Sequence, residues 1–291
     1  MDFEFHYYIN YLLAKLGGFS QEDAYKIAYS SQYVDDNTTK YDVLCKRSGK
    51  VFSNQITQSF DLSMPLADLS RIYATWHFIP GGEHDARLDG KVSSTATTPN
   101  NPLAHLQLDK ALMSGNSYAI GIASHAFADT WAHQNFTADY DDFNSGHSLV
   151  AKLLPNIGHA DFLSYPDIIG VVWSDTRLVK PRICNNRRFI DCAVALLKKY
   201  AAHQGILPPT NYLRKLLEEI FGESEPYFLT SHYLKRMQRM RCYYEVMPEL
   251  PPYDPSLWFY NTVRVELSGY SWVDGYLQSD WYGFCGGVAS A

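Results

Sequence analysis

Apolar residues recur at spacings of three and four along most of the chain, the mark of helices that bury one face. Phe5, Tyr8, Ile9, Leu12, Leu13 and Leu16 predict a first helix, ended by Gly17-Gly18. Ser20 is placed to cap a second helix, with Glu22 and Asp23 in its first turn. Ala24, Ile27, Ala28 and Tyr33 carry that helix to Val34-Asp35-Asp36-Asn37-Thr38. Further helices are predicted over residues 65–74, 103–114, 147–154, 189–203, 212–221 and 230–247. Residues 37–63 are polar and mixed, and read as a loop or a minor β excursion near 41–60, with short strands at 41–45 and 55–60. Residues 168–175 have a strand-like or buried character. The pattern predicts an all-α, multi-helical single domain over 1–291 with long decorated loops. The last forty residues are aromatic, with Trp258, Trp272 and Trp281 among them, and suit either a core cover or a lid.

One stretch departs from simple amphipathicity. Tyr118-Ala-Ile-Gly-Ile-Ala-Ser leads into His125-Ala-Phe-Ala-Asp129-Thr-Trp-Ala-His133. On a helix, His125, Asp129 and His133 fall within about 80° of arc, so all three side chains leave one face. Small and aromatic residues between them suit burial. A buried polar stripe must be hydrogen-bonded, paired or metallated, since unpaired burial costs several kcal/mol. Two imidazoles and a carboxylate on successive turns can converge on metal. The alternative is a buried polar network without metal.

Composition narrows the picture. With 46% apolar and 19% charged residues, the chain is an ordinary globular one, and its net charge of −6 does not encourage nucleic-acid binding through a basic patch, without excluding it. Five scattered cysteines contain no CxxC pair, which fits free thiols and excludes a thiolate zinc site by spacing. MDFEFHYY carries acids where a signal peptide would carry bases, and no window offers 18 consecutive apolar residues. The expected address is the cytoplasm, with secretion lacking a cleaved signal left open.

Other metal-type residues sit in apolar surroundings within the first 170 positions. They are His6 in Glu4-Phe5-His6-Tyr7, the pair Asp35-Asp36, His77 in Trp76-His77-Phe78, and His159-Ala160-Asp161 with Asp167 downstream. Acids at a helix C-terminus oppose the dipole, so Asp35 and Asp36 call for a cation nearby. His105, His147, His203 and His232 have no such surroundings and read as structural.

HAFADTWAHQNF, EFHYY, AYSSQYVDD and HFIPGG together resemble an uncharacterised bacterial family whose members begin Asp-Phe-His-Tyr and carry His-xxx-Asp-Thr-Trp-Ala-His-Gln. That family in turn looks like a distant relative of the zinc-dependent phospholipase C and single-strand nuclease superfamily. The resemblance implies an all-α fold that hydrolyses phosphate esters with two or three clustered zinc ions. One metal would take Asp36 (or Asp35), His77, His125 and Asp129. A second would share Asp129 and take His6, completed by a group near the N-terminus. A third would take His133, His159 and an acid, Asp161 or Asp167. Departures stand beside the match. His133 follows Asp129 by four residues, where the classical enzymes have six and a eukaryotic phospholipase D group has the shorter spacing. Leu163 stands where their third site has Glu. Those enzymes also use an amine freed by signal cleavage, and Met1 is not counted as such a ligand here.

If such a cluster forms, zinc lowers the pKa of bound water from about 15.7 toward 7 and supplies hydroxide at neutral pH. Asp35 or Asp161 would orient the nucleophile or take its proton. Ligands of nitrogen and oxygen alone also suit manganese or iron. The expected substrate is a small phosphate ester or a lipid. Two other readings remain at this stage: a non-catalytic, metal-stabilised scaffold or binding protein, and an HD-type phosphohydrolase built on His84-Asp85.

Overall fold

A computed structural model describes residues 1–61, 63–146 and 156–291 of the chain. The helix expected over 147–154 lies outside the described residues. The first helix opens as a wide π-helical turn, Glu4–Ile9, and continues as α1, Asn10–Leu16. It is buried on all sides from Glu4 to Ala14, so His6 stands inside the protein. Helix α2, Gln21–Asp36, starts at Ser20, whose hydroxyl accepts the Asp23 N–H at 3.0 Å. Helices α3, Leu66–Trp76, and α4, Pro102–Ser114, lead to the central α5, Ser117–Ala132. Asn116 caps α5 by accepting from Tyr118 N and Ala119 N. From Ala119 to Thr130 every residue of α5 is buried, as expected for a helix apolar on all faces.

Gly121 sets the distance between α5 and α2. A Cβ there would run into the Ile27 carbonyl oxygen and lie 2.7 Å from Ser30 Cβ. Only glycine allows this approach, and it places His125 one turn later against the backbone of Ser31.

Helices α6, Asn185–His203, α7, Thr210–Phe221, and α8, Leu229–Val246, follow, with α9, Leu257–Thr262, and α10, Asp280–Ser290, at the end. The aromatic tail covers core and is not a lid. Trp258 stacks on Tyr29 of α2 at 3.8 Å between ring centroids, and Trp281 and Phe284 are fully buried.

The fold is predominantly helical, and the described residues also form two small sheets, one of them including the β excursion expected near 41–60. One has the order β2-β1-β7-β6, from β1, Asp42–Leu44, β2, Val51–Ser53, β6, Val263–Glu266, and β7, Gly269–Trp272. Its β1–β7 pairing is parallel and joins Val43 to Tyr270, a link no local pattern reveals. The other has the order β4-β3-β5, from β3, Val171–Ser174, β4, Arg182–Cys184, and β5, Glu225–Pro226. The strand expected over 55–60 is irregular chain. Thr57 ties it to the end of α2, donating Oγ1–H to Val34 O at 2.7 Å and its N–H to Asn37 O at 3.0 Å. Among the described residues no helix is long and apolar enough to cross a membrane.

Candidate metal centre

Four elements deliver side chains to one place. His6 comes from the π turn, Asp35 from the last turn of α2, and His77 from the residue capping α3. His125 and Asp129 come from α5, and His133 caps it. The irregular chain after Gly158 adds His159 and Asp167. Within the described residues the potential ligand atoms form three groups: His6, His125 and Asp129; Asp35, His77 and His125; and His133, His159 and Asp167. In each group the atoms lie within 4.8 Å of one another.

Asp129 is the hub. Its Oδ1 is 3.2 Å from His6 Nε2, and its Oδ2 is 3.1 Å from His77 Nδ1 and 3.2 Å from His125 Nε2. Asp35 Oδ1 stands 3.8 Å from His77 Nδ1 and 3.7 Å from His125 Nε2. Asp167 places one oxygen 3.0 Å from His133 Nε2 and the other 3.2 Å from His159 Nε2.

The outward nitrogen of each ring is already committed. His77 Nε2 faces Thr57 O at 2.9 Å, His125 Nδ1 faces Ser31 O at 2.8 Å, and His133 Nδ1 faces His77 O at 2.8 Å. His159 Nδ1 faces Leu163 O at 2.7 Å, and His6 Nδ1 lies 3.4 Å from the Ser31 hydroxyl. A carbonyl accepts only, so each of the four rings facing one must donate there, and in the neutral ring the inner nitrogen keeps a lone pair. His77 Nδ1 and His125 Nε2 then confront each other at 3.1 Å beside a carboxylate. Lone pairs and carboxylates gathered in a buried space require protons or metal cations between them. Fixing the outer N–H on a carbonyl is also how metal-ligating histidines are commonly oriented. The donor set is nitrogen and oxygen only, which fits zinc, manganese or iron.

Electrostatics follow from burial against charge. Burial opposes protonation of His77, but Asp129 and Asp35 outweigh it and raise its pKa. Burial, together with the neighbouring His125 and the chain's amine, takes His6 well below its ordinary value. Burial also lowers His159. Burial disfavours charge on Asp129 and Asp167, yet the surrounding imidazoles and the amine hold both below the usual carboxylate range. Asp35 is shifted upward, chiefly by burial.

The Met1 amine enters this site, which sequence reading did not count. It pairs with Asp129 Oδ1 and lies 3.3 Å from Asp167 Oδ1. Burial works against its charge, but Asp129, Asp167 and Asp35 raise its pKa to about 11. The signal available was its nearness in sequence to His6.

Two expected residues lie elsewhere. Asp36 points away from the histidines: its Oδ2 accepts from Tyr253 OH at 2.6 Å and from Gln32 Nε2 at 3.1 Å. Successive helical residues diverge by about 100°, so only one of Asp35 and Asp36 can face inward, and it is Asp35. Asp161 accepts Gly146 N–H at 3.0 Å and lines a separate cavity with Phe162 and Trp173, so it takes no place in the three groups. The His84-Asp85 pair also stands apart, with His84 Nδ1 turned to the Asp85 carbonyl at 2.9 Å and Asp85 bonded to Asn135. Neither residue belongs to the three groups of potential ligand atoms found among the described residues.

The groups open onto a cavity of about 900 Å³. Met1, Asp35, His77, Asp129, His133, His159 and Asp167 line its polar floor, and Phe60, Leu69, Tyr73 and Tyr227 are among its apolar walls. His232, read as structural from sequence, lines it too.

The family of unknown function DUF6765 matches the chain over residues 1–290. The chain belongs to that family. No curated protein and no solved structure matches it.

Proposed function

We propose that this chain is a metal-dependent hydrolase of phosphate esters, related in its working parts to the zinc-dependent phospholipase C and nuclease superfamily. Two or three zinc ions, or manganese or iron in their place, would be held by His6, Asp35, His77, His125, Asp129, His133, His159 and Asp167. The observation that carries the reading is that His77, His125, His133 and His159 each set one ring nitrogen against a backbone carbonyl and turn the other toward the carboxylate of Asp129 or Asp167. Such cations acidify water and neutralise charge on phosphate oxygens.

The chain's own residues do the rest. Asp129, with His6 on one oxygen and His77 and His125 on the other, would be shared by two sites. Asp35 keeps 28% of its side chain exposed at the cavity, where it can orient an attacking water and accept its proton. The apolar walls exclude bulk water and receive the uncharged part of the ester. A cavity of this size suits a small ester or the head of a lipid, and the negative net charge argues against long nucleic acid. The five unpaired cysteines fit a cytoplasmic address.

Metal content of protein purified without chelator, measured for the wild type and Asp129→Ala, tests the reading together with hydrolysis of para-nitrophenyl phosphate mono- and diesters. Two or more zinc equivalents, loss of more than one in the variant, and metal-dependent hydrolysis are the expected results. Wild-type protein that carries no metal and takes up none on titration sinks the reading. Metal without hydrolysis of any ester would return it to a metal-stabilised scaffold.

A further inference from the structure

Among the described residues lining the large cavity, Arg236 of α8 is the one arginine or lysine. Its guanidinium carbon lies 5.0 Å from the centroid of the Phe3 ring, which holds it in a defined place. Its Nε stands 3.5 Å from Glu4 Oε1. Glu4 is already matched, because Arg239 donates to both of its oxygens at 2.8 Å. Asp2 is the other acid close by. Arg236 acts on Asp2 through space, but both Asp2 carboxylate oxygens are buried without any hydrogen bond. No protein acceptor holds the terminal nitrogens of Arg236 among the described residues, and 36% of its side chain is exposed. A planar guanidinium with free terminal N–H groups is built for bidentate binding of a carboxylate or phosphate. The same cavity also presents the exposed apolar side chains of Phe60, Leu163, Leu229 and Tyr233.

We propose that Arg236 sets the specificity of this cavity by binding a second anionic group on a phosphate ester whose remainder is apolar. The inference rests on the hydrolase reading and names its substrate class. The His and Asp groups would receive the reacting phosphate, and Arg236 a carboxylate or second phosphate on the part that does not react. An acidic lipid headgroup and a nucleotide bearing an extra phosphate share this chemistry.

The test measures binding by calorimetry on zinc-loaded full-length protein, using propylphosphonate and its carboxylated counterpart phosphonopropionate. A charged hydrogen-bonded pair predicts about tenfold tighter binding of the carboxylated probe by wild type. The preference should shrink below about twofold in Arg236→Gln and persist in Lys235→Gln, whose parent residue pairs with Glu225 at 2.9 Å outside this cavity. Comparable affinity for both probes, or a preference kept in Arg236→Gln, overturns the inference and leaves the phosphate reading standing. Binding of neither probe overturns both. With the preference established, kcat/KM for dihexanoyl phosphatidylserine over phosphatidylcholine, and for thymidine para-nitrophenyl phosphate with and without a second phosphate, tells the lipid source from the nucleotide source.

Discussion

His77 Nδ1 and His125 Nε2 face each other at 3.1 Å, while the far nitrogen of each ring meets a backbone carbonyl, Thr57 O and Ser31 O respectively. Neither ring can turn away without leaving its own buried N–H unpaired, at a cost of about 1–3 kcal/mol. The pair is thereby held ready for a cation. The two carbonyls belong to α2 and to the chain tied to its end, so metal affinity and the packing of α2 against α5 are linked.

That linkage predicts the behaviour of Gly121→Ala. The added methyl meets the Ile27 carbonyl and must push α5 from α2. Urea denaturation should show a loss of about 1–3 kcal/mol. Zinc titration should show weaker binding, although Gly121 has no side chain to offer a metal. Unchanged zinc affinity in a destabilised variant would separate packing from the site.

Asp35 and Asp36 are neighbours with opposite expected effects. Asp35→Asn should lower kcat by 100-fold or more while most of the metal is retained, because it removes a proton acceptor and one weak contact. Asp36→Asn should leave metal content and kcat near wild type and cost about 1 kcal/mol through its bond to Tyr253. Parallel metal analysis and steady-state kinetics decide; a larger kinetic loss in Asp36→Asn reverses the assignment.

The amine of Met1 makes the metal-free protein sensitive to alkali. Its pKa is raised from 8.0 to about 11, so its pairing with Asp129 and Asp167 stabilises fully below the unfolded value and is lost as pH rises through the folded one. The thermal midpoint of chelated protein should fall by several degrees between pH 8 and pH 11, and Asp129→Asn should flatten that slope. A midpoint that does not respond in the wild type would show the amine free of the carboxylates.

Residues fused ahead of Met1 should act on the same spot. The amine is fully buried, so an extension both removes its charge and forces chain into the floor of the cavity. Protein with a two-residue remnant before Met1 should bind less zinc and melt lower than protein released at Met1. Equal metal content in the two preparations would exclude a role for the amine at the centre.

One part of the candidate site was legible because it is local. One helical face carries His125 and Asp129 and ends at His133, and periodicity alone puts them together. The same rule says that Asp35 and Asp36 diverge, but not which of them turns inward. That depends on α5 lying against α2, and on Tyr253 arriving from more than two hundred residues away to take Asp36.

What the chain encodes on its own is the helical periodicity, the cap at Ser20, the inventory of nitrogen and oxygen ligands, and the lack of a CxxC pair, since each follows from neighbours within a few residues. Tertiary structure alone decided the pairing of Val43 with Tyr270, the carbonyls that fix each imidazole, the entry of the Met1 amine, the removal of Asp161 to another cavity and the placing of Arg236 beside Glu4. These are contacts between segments far apart in sequence. Their formation depends on how whole elements pack, and no window of neighbouring residues contains that information.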